Sequence, residues 1–143
     1  MKIWNSVYSK ILESIPEAPP EVGAILGMSR NEICAFEIDK GYEVEGRAIY
    51  IPQIEKLNAI ISCWNETGIY FGGIVHNHPK GQNVLSYSDK VYIERIMNSM
   101  PGSIDELYFP LIPSGMKMVA FCARRTARGV SIIPDEIILI KEK

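Results

Sequence analysis

At 143 residues the chain has the length of one domain, residues 1–143, and a domain of that size buries roughly two-thirds of the surface its unfolded chain exposes. Hydrophobic residues make up 47% and charged residues 22%, an ordinary globular balance that excludes a disordered or low-complexity chain. A net charge of −2 gives no general reason to expect nucleic acid, and the three scattered cysteines, Cys34, Cys63 and Cys122, make neither a disulfide framework nor a thiolate zinc site. A reducing, cytoplasmic setting fits that cysteine usage. The N-terminal MKIWNSVYSKILESI lacks a leader's continuous apolar segment, and no apolar run is long enough to span a bilayer.

In chain order, Ile3, Trp4, Val7, Tyr8, Ile11, Leu12 and Ile15 recur at steps of one and three, which predicts a first helix with one buried stripe. Pro16, Pro19 and Pro20 end it, and Glu21 opens the next segment. Val22 to Met28 is a short apolar run that reads as a strand buried on both faces. After a turn at Ser29 to Asn31, Ile33 to Ile38 returns as the next strand. Residues 39 to 51 are polar and Gly-containing, with a strand expected only at Ala48 to Ile51. From Pro52 the spacing of Ile54, Leu57, Ile61 and Trp64 predicts a second helix that ends by Thr67 and Gly68. Ile69 to Val75 is the most apolar strand candidate, and it delivers His76 and His78 to its C-terminal end. A third helix runs from Ser88 to Met100 with Tyr92, Ile93, Ile96, Met97 and Met100 inward, closed by Pro101 and Gly102. Strands are expected at Leu107 to Ile112, Met116 to Cys122, Val130 to Ile133 and Ile137 to Ile140.

The chemistry gathers in HNHPKGQNVLSYSD, residues 76 to 89, which holds both histidines of the protein and, after a Pro/Gly/Asn loop, Asp89. Side chains alternate across a strand, so residues i and i+2 face the same way and both imidazoles can reach one ion. Two neutral imidazoles and a carboxylate leave a fourth tetrahedral position open, the arrangement of catalytic rather than structural zinc. Water bound there has its pKa lowered from about 16 to about 7. A carboxylate that is not itself a ligand must take the proton, and spacing alone leaves Glu21, Glu32, Glu37 and Glu66 open. Glu21 is favoured, because at the mouth of a buried strand a carboxylate without a task is costly. Ser86, three residues before Asp89, can donate to an oxyanion.

These residues resemble the JAMM (MPN+, or JAB) metalloprotease family, whose signature is a glutamate, then H-x-H-P, then S-x-x-D. The likeness covers nearly the whole chain. It implies that His76, His78 and Asp89 bind one zinc ion, that Glu21 is the general base and that Ser86 stabilises the tetrahedral intermediate. It implies the cytidine deaminase-like α/β/α sandwich with a mixed central sheet. The implied activity is hydrolysis of the peptide or isopeptide bond after the C-terminal glycine of ubiquitin or a ubiquitin-like protein. Asn77 departs from the family's usual Ser or Thr between the histidines, but it faces away from the ligands. The chain is also shorter than eukaryotic deubiquitinating members between residues 39 and 53 and between 97 and 107. That suggests a compact prokaryotic-type member acting on a ubiquitin-like or sulfur-carrier protein with a Gly-Gly tail, in company with E1- or E2-like enzymes, with no nucleic acid or membrane partner. The partner's tail is expected to add a strand to a sheet edge. There is no third histidine for a second zinc.

Blander readings compete with each feature. Ser86 with Asp89 is also a capping box, and both roles can hold together, since the cap fixes the helix that presents Asp89. Arg124, Arg125 and Arg128 fit a solvated turn between strands better than a nucleic-acid patch. Cys63, Cys122, Trp4 and Trp64 are read as core packing. The alternative functions are a zinc amidase or peptidase on a substrate unrelated to ubiquitin, and a non-catalytic MPN scaffold. A deaminase would need H-x-E and P-C-x-x-C, which the sequence lacks.

Overall fold

A computed structural model describes residues 1–41 and 50–142. Among these, three helices and nine strands follow one another as β1 (Lys2–Trp4), α1 (Asn5–Ser14), β2 (Gly23–Ser29), β3 (Glu32–Asp39), α2 (Ile54–Asn65), β4 (Tyr70–His78), α3 (Tyr87–Ser99), β5 (Glu106–Tyr108), β6 (Leu111–Pro113), β7 (Ala120–Thr126), β8 (Gly129–Asp135) and β9 (Ile138–Ile140). The strands make one sheet in the order β8-β7-β5-β4-β2-β3-β1-β9, with β6 following β5 alongside β4. The sheet is mixed. β4, β2 and β3 pair antiparallel, whereas β4 runs parallel to β5 and β6, and β1 parallel to β3 and β9.

The apolar run in β2 is buried on both faces, as its composition requires. Ile25 enters the core under α2 and α3, with Leu57, Ile60, Ile93, Ile96 and Met97. Its neighbours Ala24 and Leu26 enter the opposite core, with Val7 and Ile11 of α1 and Ile15 just after it. The sheet is thus the middle layer of an α/β/α sandwich, and each fully buried Ile or Leu contributes about 1.5–3 kcal/mol relative to an exposed one. No helix among the described residues is long and apolar enough to cross a membrane.

A bulge sets the phase of the central strand. Leu26 pairs with Gly73 but Gly27 pairs with Phe71, so Gly72 is the extra residue. Gly73 takes φ 133°, and a Cβ there would collide with the Tyr108 carbonyl on β5. Past the bulge Ile74 faces α2 and α3 while Val75 faces α1. Alternation then carries His76 and His78 to the α2/α3 side and Asn77 to the α1 side.

Several expectations are corrected. Lys2–Trp4 is a strand, and the helix begins only at Asn5. Leu12 and Ile54 are exposed, so the buried face of α2 is Leu57 and Ile60, with Ile61 and Trp64 partly covered. The single strand expected at Leu107–Ile112 is broken around Pro110, which lacks a ladder donor, into β5 and β6. β7 begins at Ala120 rather than Met116. Arg124 and Arg125 lie in β7 and only Arg128 in the turn. Arg124 pairs with Glu106 at 2.7 Å, and the Arg125 guanidinium donates to the carbonyls of Met97 and Met100 at the end of α3. Cys63 is exposed, whereas Cys122 is buried as expected. Ala48 and Ile49 of the expected strand lie outside the described residues, and Tyr50 and Ile51 belong to no regular element.

Candidate metal centre

β4 carries His76 and His78 on one face, and their Nε2 atoms converge to 2.9 Å. α3 supplies the third donor. Its N-cap is Ser86, whose Oγ accepts the Asp89 N–H at 3.1 Å while Asp89 Oδ2 accepts the Ser86 N–H at 2.9 Å. The expected capping box is therefore formed, and it aims the carboxylate. Asp89 Oδ1 lies 3.2 Å from His76 Nε2 and Oδ2 lies 3.0 Å from His78 Nε2. Zinc bonds of about 2.0–2.1 Å at tetrahedral angles space their donors about 3.3 Å apart, so this trio reaches an ion by opening only slightly. The donor chemistry fits as well: two nitrogens and one carboxylate, all at most 4% exposed.

Glu21 stands just before β2, whose Gly23 pairs with His76. Its Oε1 is 3.8 Å from His78 Nε2 and its Oε2 accepts the Tyr50 N–H at 3.3 Å. Glu21, His76 and His78 present ligand atoms that all lie within 4.8 Å of one another, and this group can hold a metal ion. Glu21 is thus set back from the tighter trio of two imidazoles and Asp89. The structure brings Glu21, His76, His78 and Asp89 together, with Ser86 at the end of the same helix. Of the other glutamates considered, Glu37 and Glu66 are exposed, and Glu32 pairs with Ser29 at the far end of β2.

Each imidazole is oriented from behind. His78 Nδ1 lies 3.1 Å from the Gln82 carbonyl. A carbonyl can only accept, so that nitrogen carries the proton and the neutral ring offers a bare Nε2 to the centre. His76 Nδ1 meets the Tyr92 hydroxyl at 3.2 Å. The Tyr50 ring stacks on His76 with centroids 5.5 Å apart, and its hydroxyl donates to Asp39 Oδ2 at 2.8 Å. Asp39, fully buried, also accepts the Gln53 and Gly41 amides, which ties the start of α2 to β3. Gly23 makes room for that ring, since a Cβ there would clash with Tyr50. Sequence reasoning placed Tyr92 only as core and did not single out Asp39 or Tyr50. Tyr92 was findable, because it lies three residues after Asp89 and so shares its helix face.

The electrostatics follow from burial and mutual contact. Burial pushes the Glu21 pKa up, and the nearby imidazoles only partly offset this. Burial also works to raise Asp89, but the His76 and His78 imidazoles packed against it hold it well below the usual carboxylate range. For His78, burial acts downward, yet the Asp89 carboxylate, Glu21 and the Gln82 carbonyl together raise it. Tyr92 is pushed well above its usual value by burial, with Asp89 and Glu21 adding to the rise, so its hydroxyl stays protonated.

Known proteins resemble the chain in structure rather than in sequence. No protein-family model matches it, and no curated protein does. A JAB1/MPN domain protein from Archaeoglobus fulgidus is 19% identical with a TM-score of 0.54, covering 99% of this chain and 100% of that one. A protein from Desulfitobacterium hafniense is 19% identical with a TM-score of 0.64, over 99% and 93%. One from Salinibacter ruber is 16% identical with a TM-score of 0.58, over 98% and 92%. The chain has the MPN/JAB-like fold, a mixed α/β sandwich.

Proposed function

We propose that this chain is a JAMM-type zinc peptidase or isopeptidase that hydrolyses the bond after the C-terminal glycine of a ubiquitin-like or sulfur-carrier protein. The convergence of two imidazole nitrogens and a capped carboxylate, with a second carboxylate set 3.8 Å back, is the observation that carries it. His76, His78 and Asp89 would hold the ion. Zinc in such a site acidifies a water to about pKa 7 and polarises a carbonyl.

The remaining work falls to the chain's own residues. Glu21 is placed to take the proton of the attacking water, and its raised pKa suits it to hand that proton to the departing amine as the C–N bond breaks. Ser86, exposed at the start of α3, is placed to donate its hydroxyl to the oxyanion. The positive end of the α3 dipole favours the same charge.

The test uses Glu21→Gln as a trap. The variant should keep one zinc, lose turnover, and retain from its host lysate a small protein ending in Gly-Gly, identified by mass spectrometry. Chelation should stop the wild type and thiol reagents should not. A trapped substrate without that tail would move the reading to a zinc amidase of another kind, and normal turnover by Glu21→Gln would remove the base.

A further inference from the structure

The residue between the two histidines faces away from them, yet it grips the backbone on both sides of Glu21. Asn77 is 1% exposed. Its Oδ1 accepts the Val22 N–H at 2.6 Å, and its Nδ2 donates to the carbonyls of Pro20 at 3.2 Å and Pro16 at 2.7 Å. Its own backbone N–H donates to the Val22 carbonyl at 3.1 Å. Pro20 and Val22 are the chain neighbours of Glu21. One buried amide therefore holds the residue before the base and the residue after it, and both polar groups of Val22 end on Asn77.

The segment needs such a clamp. Pro16, Pro19 and Pro20 have no N–H, so residues 16–20 cannot be knit into the sheet by a regular ladder. Among the described residues, the other side chain that reaches the segment's carbonyls is Ser114, at Ala18 and 3.3 Å. An asparagine offers one acceptor and two N–H donors, which is the set used here. Serine, with one proton, cannot serve two carbonyls, and aspartate can serve neither.

We infer that Asn77 is a positioning residue: from the face of β4 opposite the histidines it fixes where Glu21 stands relative to them. This rests on the proposed role of Glu21 as the base. Asn77 touches neither ion nor substrate, so it acts on the rate through Glu21 and leaves His76, His78 and Asp89 in place. A base displaced by about 1 Å loses on the order of 100-fold in rate without losing the substrate.

The experiment compares Asn77→Ser and Asn77→Asp with wild type, as folded, zinc-loaded protein. Both variants should retain zinc against a competing chelator to within about twofold and keep KM, while kcat falls roughly 10- to 100-fold. Amide hydrogen exchange should show Val22 exchanging on the order of ten times faster in Asn77→Ser, with β4 unchanged. Asn77→Asp keeps the acceptor for Val22 but sets a carboxyl oxygen against the Pro16 and Pro20 carbonyls, so a fall in kcat there with Val22 exchange unchanged assigns the effect to the carbonyl contacts. Wild-type kcat in either zinc-loaded variant, or a kcat loss that merely tracks lost zinc, overturns the inference. If wild type itself proves inactive, the functional reading fails separately, and unchanged Val22 exchange in Asn77→Ser then sinks the clamp on its own.

Discussion

Tyr50 lays its ring against His76, 21° from coplanar, and with its backbone N–H it holds Glu21, so one residue contacts both an imidazole of the centre and the carboxylate beside it. Its hydroxyl is anchored on Asp39. Tyr50→Phe keeps the ring and removes the anchor, and should cost about 1–3 kcal/mol in urea unfolding while zinc binding is retained. Tyr50→Ala should loosen the centre as well. Equal zinc retention in the two variants would show that the stacked ring does not support His76.

Asp89 carries two tasks that substitution can separate. Asp89→Ala removes the carboxylate that faces both imidazoles and should lower zinc affinity at least about 100-fold, read by metal analysis after dialysis. Ser86→Ala takes away the cap and the hydroxyl proposed for the oxyanion but no ligand, which should cost about 1 kcal/mol of stability with zinc retained. A full zinc complement in Asp89→Ala would exclude it as a ligand.

Zinc binding should compete with protons at His78. The Gln82 carbonyl fixes one proton on Nδ1, so a second proton must sit on Nε2, the nitrogen proposed to meet the ion. Burial works against that second proton, but Asp89, Glu21 and the carbonyl favour it more, so the folded pKa is raised. Apparent affinity should therefore climb about tenfold per pH unit below that pKa and level off above it. Chelator competition across roughly pH 5 to 8 measures this. A flat profile would mean that His78 Nε2 does not meet the metal.

Gly73→Ala tests the bulge. The added methyl meets the Tyr108 carbonyl of β5 and the φ of 133° is hostile to alanine, so the change should cost about 3 kcal/mol or more. Thermal unfolding checks it, with Gly68→Ala as a control, because a Cβ there meets nothing within 4 Å. Similar losses at both positions would mean that backbone strain, not the β4–β5 contact, is what matters.

The pieces of the centre were readable because they are local. Two histidines at i, i+2 on an apolar strand and a serine three residues before an aspartate are fixed by strand and helix geometry alone. What escaped depends on distant chain. Ile3 and Trp4 continue the helical spacing of Val7 and Ile11, so nothing local marks the junction where β1 becomes α1; the strand exists because it pairs with β3 and β9. Spacing alone did not separate Glu21 from Glu32; Glu21 was favoured for its place at the mouth of a buried strand, and the strand order puts it beside His76 and Glu32 at the opposite end of the same hairpin. Tyr50 sits in a polar stretch without periodicity, and its value comes from Asp39, eleven residues earlier. Cys63 shows the reverse error, an apolar residue placed inside by a helical pattern whose buried side is Leu57 and Ile60.

The pairing of β9 with β1 bears on how the molecule is made. Ile138, Leu139 and Ile140 lie in parallel register with Lys2, Ile3 and Trp4. That contact spans nearly the whole sequence, so its loop-closure entropy is met only once almost everything else has formed. During synthesis β1 can pair with β3 long before residues 138–140 are available, so its other edge is the part of this sheet that closes late.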